Sequence, residues 1–576
     1  MQVSIFYDGE CPVCTNYIKY LRLKESAGAP ALIDLRQDAA ARGRFQADGF
    51  SVDEGMVAEI DGRVFKGGDA VHALALLTTP VGVANRLNAL VFSSPFLSRI
   101  LYPVLRAGRN LLLIILGREP INADDPAQLS KFALFSLIFG FFTIFHTVAY
   151  PLHYFRFPPS PDIVALGFAG LALVLHPGSK RLFLLVVALS LISGWIQAPV
   201  QSNHTILRNF LVIGFLIVFA IDMLRGASWS KMFADFAPVG GVGLLVMYFF
   251  GVFHKINSGF LDPSTSCAVE LWREMLFFVP PLDIPLIHYA AIYGTYVAET
   301  TLAICLLIPR TRHLAVVGGI AFHMLLAFSN FGMYLPFTTL SIAAHLLFLT
   351  PQGAHAVMQS PMMVRYRQML ERPAPLTLGL VLLGLLIWVT DEQRFDVATL
   401  LAFPLVLPVL VAVARYGWQK QTEPLLPRGT APALVIILGG LFFANGFAPY
   451  LGLKTSQAFN MFSNLRLEGG TSNHLVFNSP PKMFGYLDDV VILEKVEGSL
   501  YLEAMIKVGK GFIYHDFLNY IENRPEIVVT YTMNGETHVD ESAATLASEI
   551  DRVLVPKVFR KFFLFNLVDL SPHPKC

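Results

Sequence analysis

The chain has 576 residues, 54% hydrophobic and only 15% charged, with 47 phenylalanines and a mean hydropathy of +0.55. Soluble domains carry about a quarter charged residues, so apolar spans are expected. A net charge of +1 sets aside nucleic acid and strongly acidic partners.

Residues 1–80 read as a soluble α/β domain. The opening MQVSIFYDGE lacks the basic-then-apolar pattern of a signal peptide, so this domain is expected to stay in the cytoplasm. Residues 3–7 are β-rich and end in the turn Asp8-Gly9, and the helical pattern Tyr17, Ile18, Leu21 follows two cysteines, Cys11 and Cys14. A strand is predicted at 31–35, a hairpin at 56–60 and 63–65 around Asp61-Gly62, and a helix at 71–77. Strand, dithiol, helix, strand, hairpin, helix is a thioredoxin-like order. Residues 81–128 form a linker in which Arg86, Arg99, Arg106 and Arg109, set among Leu, Val, Phe and Ile, predict amphipathic helices over 82–118 on the cytoplasmic membrane face.

Residues 129–450 are predicted to be a transmembrane helical domain of about eleven spans: 129–150, 162–176, 182–196, 204–224, 237–254, 285–308, 313–328, 332–350, 376–390, 396–414 and 431–450. With the N-terminus inside, the inner loops hold twelve basic residues: Lys180, Arg181, Arg225, Lys231, Arg310, Arg312, Arg365, Arg367, Arg372, Arg415, Lys420 and Arg428. The outer loops hold five: Arg156, Arg208, Lys255, Arg273 and Arg394. That asymmetry fits the positive-inside rule, and an odd count puts the C-terminal side outside the cell membrane. Residues 451–576 read as a soluble α+β domain, with strands at 490–493, 500–506 and 527–533, a turn at Asn534-Gly535 into 536–539, and a helix at about 541–552. The closing cysteine does not fit a prenylation box. The fold class expected is therefore a multi-pass α-helical membrane protein with an N-terminal thioredoxin-like α/β domain and a C-terminal soluble α+β domain.

Of the five cysteines, Cys267, Cys305 and Cys576 are scattered, so no disulfide framework is expected; only Cys11 and Cys14 are close in sequence. A first thiol at a helix start meets unpaired backbone N–H groups and the positive end of the dipole, which stabilise a thiolate. Cys11 is thus the candidate nucleophile and Cys14 the resolving thiol, with Pro12 suited to the first helical turn. Packing and zinc are the other readings; zinc wants four ligands and only His72 stands nearby, so no metal is assigned. The run VSIFYDGECPVC, residues 3–14, resembles the DCC family of thiol-disulfide oxidoreductases, marked by Asp8, Cys11 and Cys14. Gly68-Asp69-Ala70 and Tyr102, Arg106 and Arg109 resemble its later segments, so the likeness covers about 1–118. It implies that Asp8 orients or tunes a pair that cycles between dithiol and disulfide with a thiol redox partner. No proline precedes the strand near Met56, where thioredoxins place a cis-proline facing the dithiol.

A second distinctive stretch, Tyr248-Phe249-Phe250-Gly251-Val252-Phe253-His254-Lys255-Ile256, closes the fifth span. It resembles vitamin K-dependent γ-carboxylases and the wider HTTM membrane family, over about 130–350, with Glu299 and His323 at matching positions. The resemblance implies that Lys255 acts as a base toward a hydroquinone, although residues 257–268 separate it from Trp272, which that family places closer. Glu299 lies nine residues and His323 ten from the inner ends of adjacent spans, so the two are expected to pair across antiparallel helices. His254 beside Lys255 is expected to favour its basic form. The plainer readings are a Lys255 that snorkels to the interface and a packing hydrogen bond between helices. Arg466, Asn473 and His474 either cap the outer mouth of a membrane cavity or simply begin the next domain.

The functional expectation is a membrane-bound thiol-disulfide oxidoreductase coupling the cytoplasmic dithiol to a quinone or other apolar substrate. Two alternatives stand beside it: a γ-carboxylase- or epoxidase-like enzyme with Lys255 as base, and a non-enzymatic transporter or scaffold.

Overall fold

Strand β1 (Val3–Tyr7) buries Val3 and Ile5 on one face and Phe6 on the other, as the two-residue period of a strand requires. In the computed structural model it lies between β2 (Ala31–Asp34), which is parallel to it, and β3 (Val57–Ile60), which is antiparallel and continues into β4 (Arg63–Lys66). The order is β2-β1-β3-β4. Helices α1 (Pro12–Tyr20), α2 (Ala39–Ala47) and α3 (Gly68–Leu77) cover this sheet. Val3, Ile5, Ile18, Ala58 and Leu74 form one core layer, and Phe6, Leu35, Phe45, Val52 and Val57 the other. The element order is the one read from the sequence, apart from α2. The Asp61-Gly62 turn takes positive φ at both residues, which a two-residue hairpin demands.

Two further helices follow, α4 (Val83–Phe92) and α5 (Pro95–Leu116). Ser94 caps α5 with Pro95 in its first turn, and Gly117 ends it in the left-handed conformation. These elements belong to one unit, Met1–Phe132 with Ser179–Leu184 and Phe215–Phe236; the remaining residues form a second. The structure describes all residues except 22, 25–27, 51, 80–82, 122–123, 154–158, 276–279, 332–333, 393, 420–430, 482 and 571–575. Arg156, Lys420 and Arg428, used above in the loop charges, and the segment before Cys576 lie outside the described residues.

The apolar stretch is helical at every expected span. In chain order it forms α6 (Pro126–His153), α7 (Pro161–Leu175), α8 (Lys180–Gln197), α9 (Asn203–Arg225), α10 (Trp229–Phe253), the short α11 (Ser258–Leu261) and α12 (Cys267–Arg273), then α13 (Pro285–Leu307), α14 (Arg312–Ala327) and α15 (Leu335–Leu346). Helices Pro373–Asp391, Phe395–Tyr416 and Ala431–Phe447 follow. Among the described residues, seven helices rather than eleven are long and apolar enough to cross a membrane. The shortfall is one of length: α7, α14, α15 and Thr377–Asp391 are apolar but shorter. Fifteen residues, as in α7, reach about 22 Å against the ~30 Å of a hydrocarbon core.

Beyond these helices, β5 (Val490–Glu497), β6 (Lys510–Ile513), β7 (Val528–Met533), β8 (Glu536–Ser542) and β9 (Val568–Asp569) pair in the order β8-β7-β5-β6-β9. The strand expected at 500–506 is instead the helix Leu500–Lys507. Ser499 caps it by accepting from the Leu502 N–H at 3.3 Å, and Leu, Glu, Ala, Met and Lys are strong helix formers. The later helix is Ala547–Val553, shorter than expected because β8 runs on to Ser542. The expectation about scattered cysteines also fails for one pair: Cys267 and Cys576 are disulfide-bonded across 309 residues, with Cα atoms 4.9 Å apart. Cys267 is held against the chain beyond the apolar helices by its backbone N–H, which donates to Asn464 Oδ1 at 2.9 Å.

Non-reducing peptide mapping should therefore recover the Cys267 peptide joined to the Cys576 peptide. Cys576→Ser should lower stability by about 2–4 kcal/mol in thermal denaturation.

Candidate functional site

Cys11 is the N-cap of α1, in extended conformation, with Pro12 in the first turn. Its Sγ accepts from the Cys14 backbone N–H at 3.2 Å, and its own N–H donates to the Asp8 carbonyl at 3.1 Å. Both thiols are free and buried, in a small cluster with Leu113 of α5 and the edge of Tyr7. The Asp8 carboxylate, also buried, receives Arg36 Nε at 2.6 Å and stands 3.6 Å from Arg109 Nη2. Arg36 further donates to the Glu119 carbonyl at 2.7 Å, and Arg109 to the Asp53 carbonyl at 3.2 Å. The Arg109 side chain is only 7% exposed, and its Nε has no hydrogen-bond partner among the described residues. The expected trio of Asp8, Cys11 and Cys14 is thus brought together.

The two thiols are electrostatically unlike. Cys11 is pulled down to about 6, first by the hydrogen bond from the Cys14 side chain, with the Cys14 N–H and the Arg109 charge adding to it against burial and Asp8. Cys14 is pushed well up, first because its thiol donates that bond and then because it is buried. At neutral pH the first sulfur is a thiolate and the second a thiol, the state an attacking and resolving pair needs. Tyr102 secures α5 beside the pair by donating to the Glu54 carbonyl at 3.0 Å. Gly55, at φ +149°, makes room for it: a Cβ there would lie 1.5 Å from the Tyr102 hydroxyl. His72, the one other ligand type near the dithiol in sequence, bonds the Phe92 carbonyl through Nδ1 at 2.7 Å.

The candidates among the apolar helices sort differently from expectation. Lys255 Nζ donates to both oxygens of Glu299, at 3.1 and 2.9 Å, and to the Gly251 carbonyl at 2.7 Å. Gly251 permits this approach, since a Cβ would sit 3.2 Å from Glu299 Oε2. Glu299 therefore pairs with Lys255, not with His323. His323 Nε2 lies 3.0 Å from the Tyr248 hydroxyl, and His345 Nε2 lies 3.1 Å from the same oxygen. His345 Nδ1 donates to the Ser341 carbonyl at 2.7 Å. In the neutral ring its Nε2 then accepts from Tyr248, leaving His323 Nε2–H to donate to the tyrosine oxygen. His323 Nδ1 is left without a partner among the described residues. His254 points away from Lys255: its ring nitrogens meet the Tyr450 hydroxyl and the Ala458 carbonyl, both at 2.9 Å.

Lys255, Glu299, Tyr248 and His323 line one cavity of about 110 Å³, walled by Phe260, Phe322, Phe337 and Phe459. A second cavity of about 700 Å³ is lined by Arg466, the Cys267–Cys576 pair and several amides. Asn473 and His474, expected at such a mouth, instead hold backbone: Asn473 donates to the Asn464 carbonyl at 2.7 Å, and His474 Nε2 meets the Phe253 carbonyl at 2.9 Å.

Residues 5–114 match the family model described as DCC1-like thiol-disulfide oxidoreductase. No curated protein and no solved structure matches the chain. The DCC1-like match ends beyond Arg109 and Leu113, so it takes in the part of α5 that covers the dithiol, and it supports a redox function for this domain. Sequence reasoning missed Arg36 as the main partner of Asp8, and it did not single out His345 as a partner of Tyr248. A histidine inside an apolar helix was the available signal for the latter.

Thiolate ultraviolet absorbance of the reduced protein should titrate with a midpoint near pH 6, and Arg109→Met should move that midpoint upward because it removes a stabilising positive charge. Lys255→Met should destabilise by about 3–5 kcal/mol by stranding Glu299, and adding Glu299→Gln should recover most of the loss in thermal denaturation.

Proposed function

We propose that this chain is a multi-pass membrane thiol-disulfide oxidoreductase whose DCC1-like domain works on the cytoplasmic side. The observation that carries the reading is Cys11 capping the start of α1 and accepting from the Cys14 N–H, an arrangement that draws the first thiol down and pushes the second up, inside the matched region. The Cys11 thiolate attacks one sulfur of a substrate disulfide; that bond breaks, and the departing thiolate takes a proton from water. Cys14 loses its proton and attacks Cys11 Sγ, expelling the second substrate thiolate. The domain ends as a Cys11–Cys14 disulfide, having delivered two electrons, and a cytosolic dithiol reductant restores it.

The Cys267–Cys576 disulfide supports the topology. An oxidised pair belongs to an oxidising compartment, and a dithiol at work in the cytoplasm lies across the membrane from it. The two bonded cysteines must share one side, so an even number of crossings separates them. Only three of the seven long helices lie between them: α13, Phe395–Tyr416 and Pro432–Leu451. An even number therefore needs one or all of the three shorter helices between them to cross as well, tolerated by local thinning of the bilayer; the eleven-span reading meets this and leaves residues 451–576 outside.

A second reading rests on the Lys255–Glu299 pair and Tyr248 lining one apolar cavity. A flat apolar ring with hydrogen-bonding oxygens, as in a quinone, suits those walls, and the HTTM-like resemblance makes Lys255 the base there. Glu299 is then the group that holds Lys255 in place and receives its proton.

Cys11→Ser should abolish disulfide exchange, and Cys14→Ala should trap the partner as a mixed disulfide on non-reducing gels. Activity unchanged by Cys11→Ser, but lost in Lys255→Ala, would instead favour the carboxylase-like alternative.

A further inference from the structure

The helix that closes the dithiol has two faces, and only one is used within its domain. Ser98, Tyr102, Arg109 and Leu113 of α5 are the face turned to the dithiol domain: Tyr102 reaches Glu54, Arg109 reaches Asp8 and Asp53, and Leu113 packs on the cysteines. At 100° per residue, Phe96, Ile100, Val104, Leu111 and Ile115 fall on the opposite side of the helix, about half a turn away. That row is bare: Phe96 is 69% exposed, and Val104 and Ile115 are each 57%. It runs about 28 Å along the helix axis. A single exposed leucine needs no explanation, but a continuous apolar row does.

The charge around the row selects its occupant. From Val83 to Leu116 the chain has no Asp or Glu and four arginines, Arg86, Arg99, Arg106 and Arg109. Arg109 is used inward on Asp8 and Arg106 on the Leu224 carbonyl at 2.6 Å, whereas Arg99 is exposed. An apolar helix face free of acid, with Arg99 exposed at its flank, matches an acyl-chain layer beneath anionic headgroups.

We propose that α5 lies in the surface of an anionic bilayer, its apolar row among the acyl chains, and so holds the dithiol domain against the membrane by the same helix that covers Cys11 and Cys14. This rests on the reading that the apolar helices span the membrane. The dithiol is thereby presented to partners at the membrane surface, and any movement of α5 in the lipid is felt at Arg109 and Leu113.

The test uses the full chain in vesicles of phosphatidylcholine and phosphatidylglycerol, with and without brominated acyl chains. Native emission, which includes Trp388 on the helix Pro373–Asp391, reports whether the apolar helices are in lipid. Val104→Trp adds a probe at an exposed apolar position, where folding should be unaffected; the pH midpoint of Cys11 checks this. The added emission should fall by about twofold or more with brominated lipid and resist aqueous iodide. Quenching by iodide alone would mean α5 faces water, and quenching by neither would mean that protein covers it; both overturn the proposal. Native emission untouched by brominated lipid would overturn the membrane reading itself, and the proposal with it.

Discussion

The functional geometry depends on how charge is held where water is scarce. Asp8, between Arg36 and Arg109 and almost fully buried, fixes the end of β1 relative to α5. An isolated buried carboxylate costs far more than a paired one, so the three residues stand or fall together. Arg109 then has a second use: its positive charge favours the Cys11 thiolate, while Asp8 opposes it. The tuning of the nucleophile and the packing of the helix over it are thus one arrangement.

The same logic recurs among the apolar helices with different partners. Lys255 meets Glu299 next to a glycine that leaves room for the pair, and Tyr248 joins two histidines from α14 and α15. Gly319 has a comparable role, because a Cβ there would lie 2.1 Å from His345 Nε2. The Lys255, Glu299 and Tyr248 side chains thus find polar partners from other segments, as interiors poor in water favour. His323, which also lines the cavity, leaves its Nδ1 without a partner among the described residues.

Much of the N-terminal half was legible because its signals are local. The strand before Asp8-Gly9, the dithiol at a helix start and the Asp61-Gly62 hairpin are each decided by a few adjacent residues. The partners across space were not. Nothing near Arg36 in sequence marks it for Asp8, and equal depth alone points Glu299 to His323, whereas in the folded chain it meets Lys255. An apolar run as short as 500–507 fits either period, and the cap at Ser499 decides it as a helix. The Cys267–Cys576 bond joins residues so distant that only the folded chain brings them together.

The central claim is that Cys11 and Cys14 form a redox couple in use. The direct measurement is the reduction potential of that pair in the full-length protein, equilibrated against glutathione buffers and read by thiol alkylation and mass spectrometry. A working cytoplasmic couple should convert fully between dithiol and disulfide at a potential of about −270 to −200 mV. A pair that stays reduced across that whole range would contradict it and leave the domain a thioredoxin-like shape without exchange.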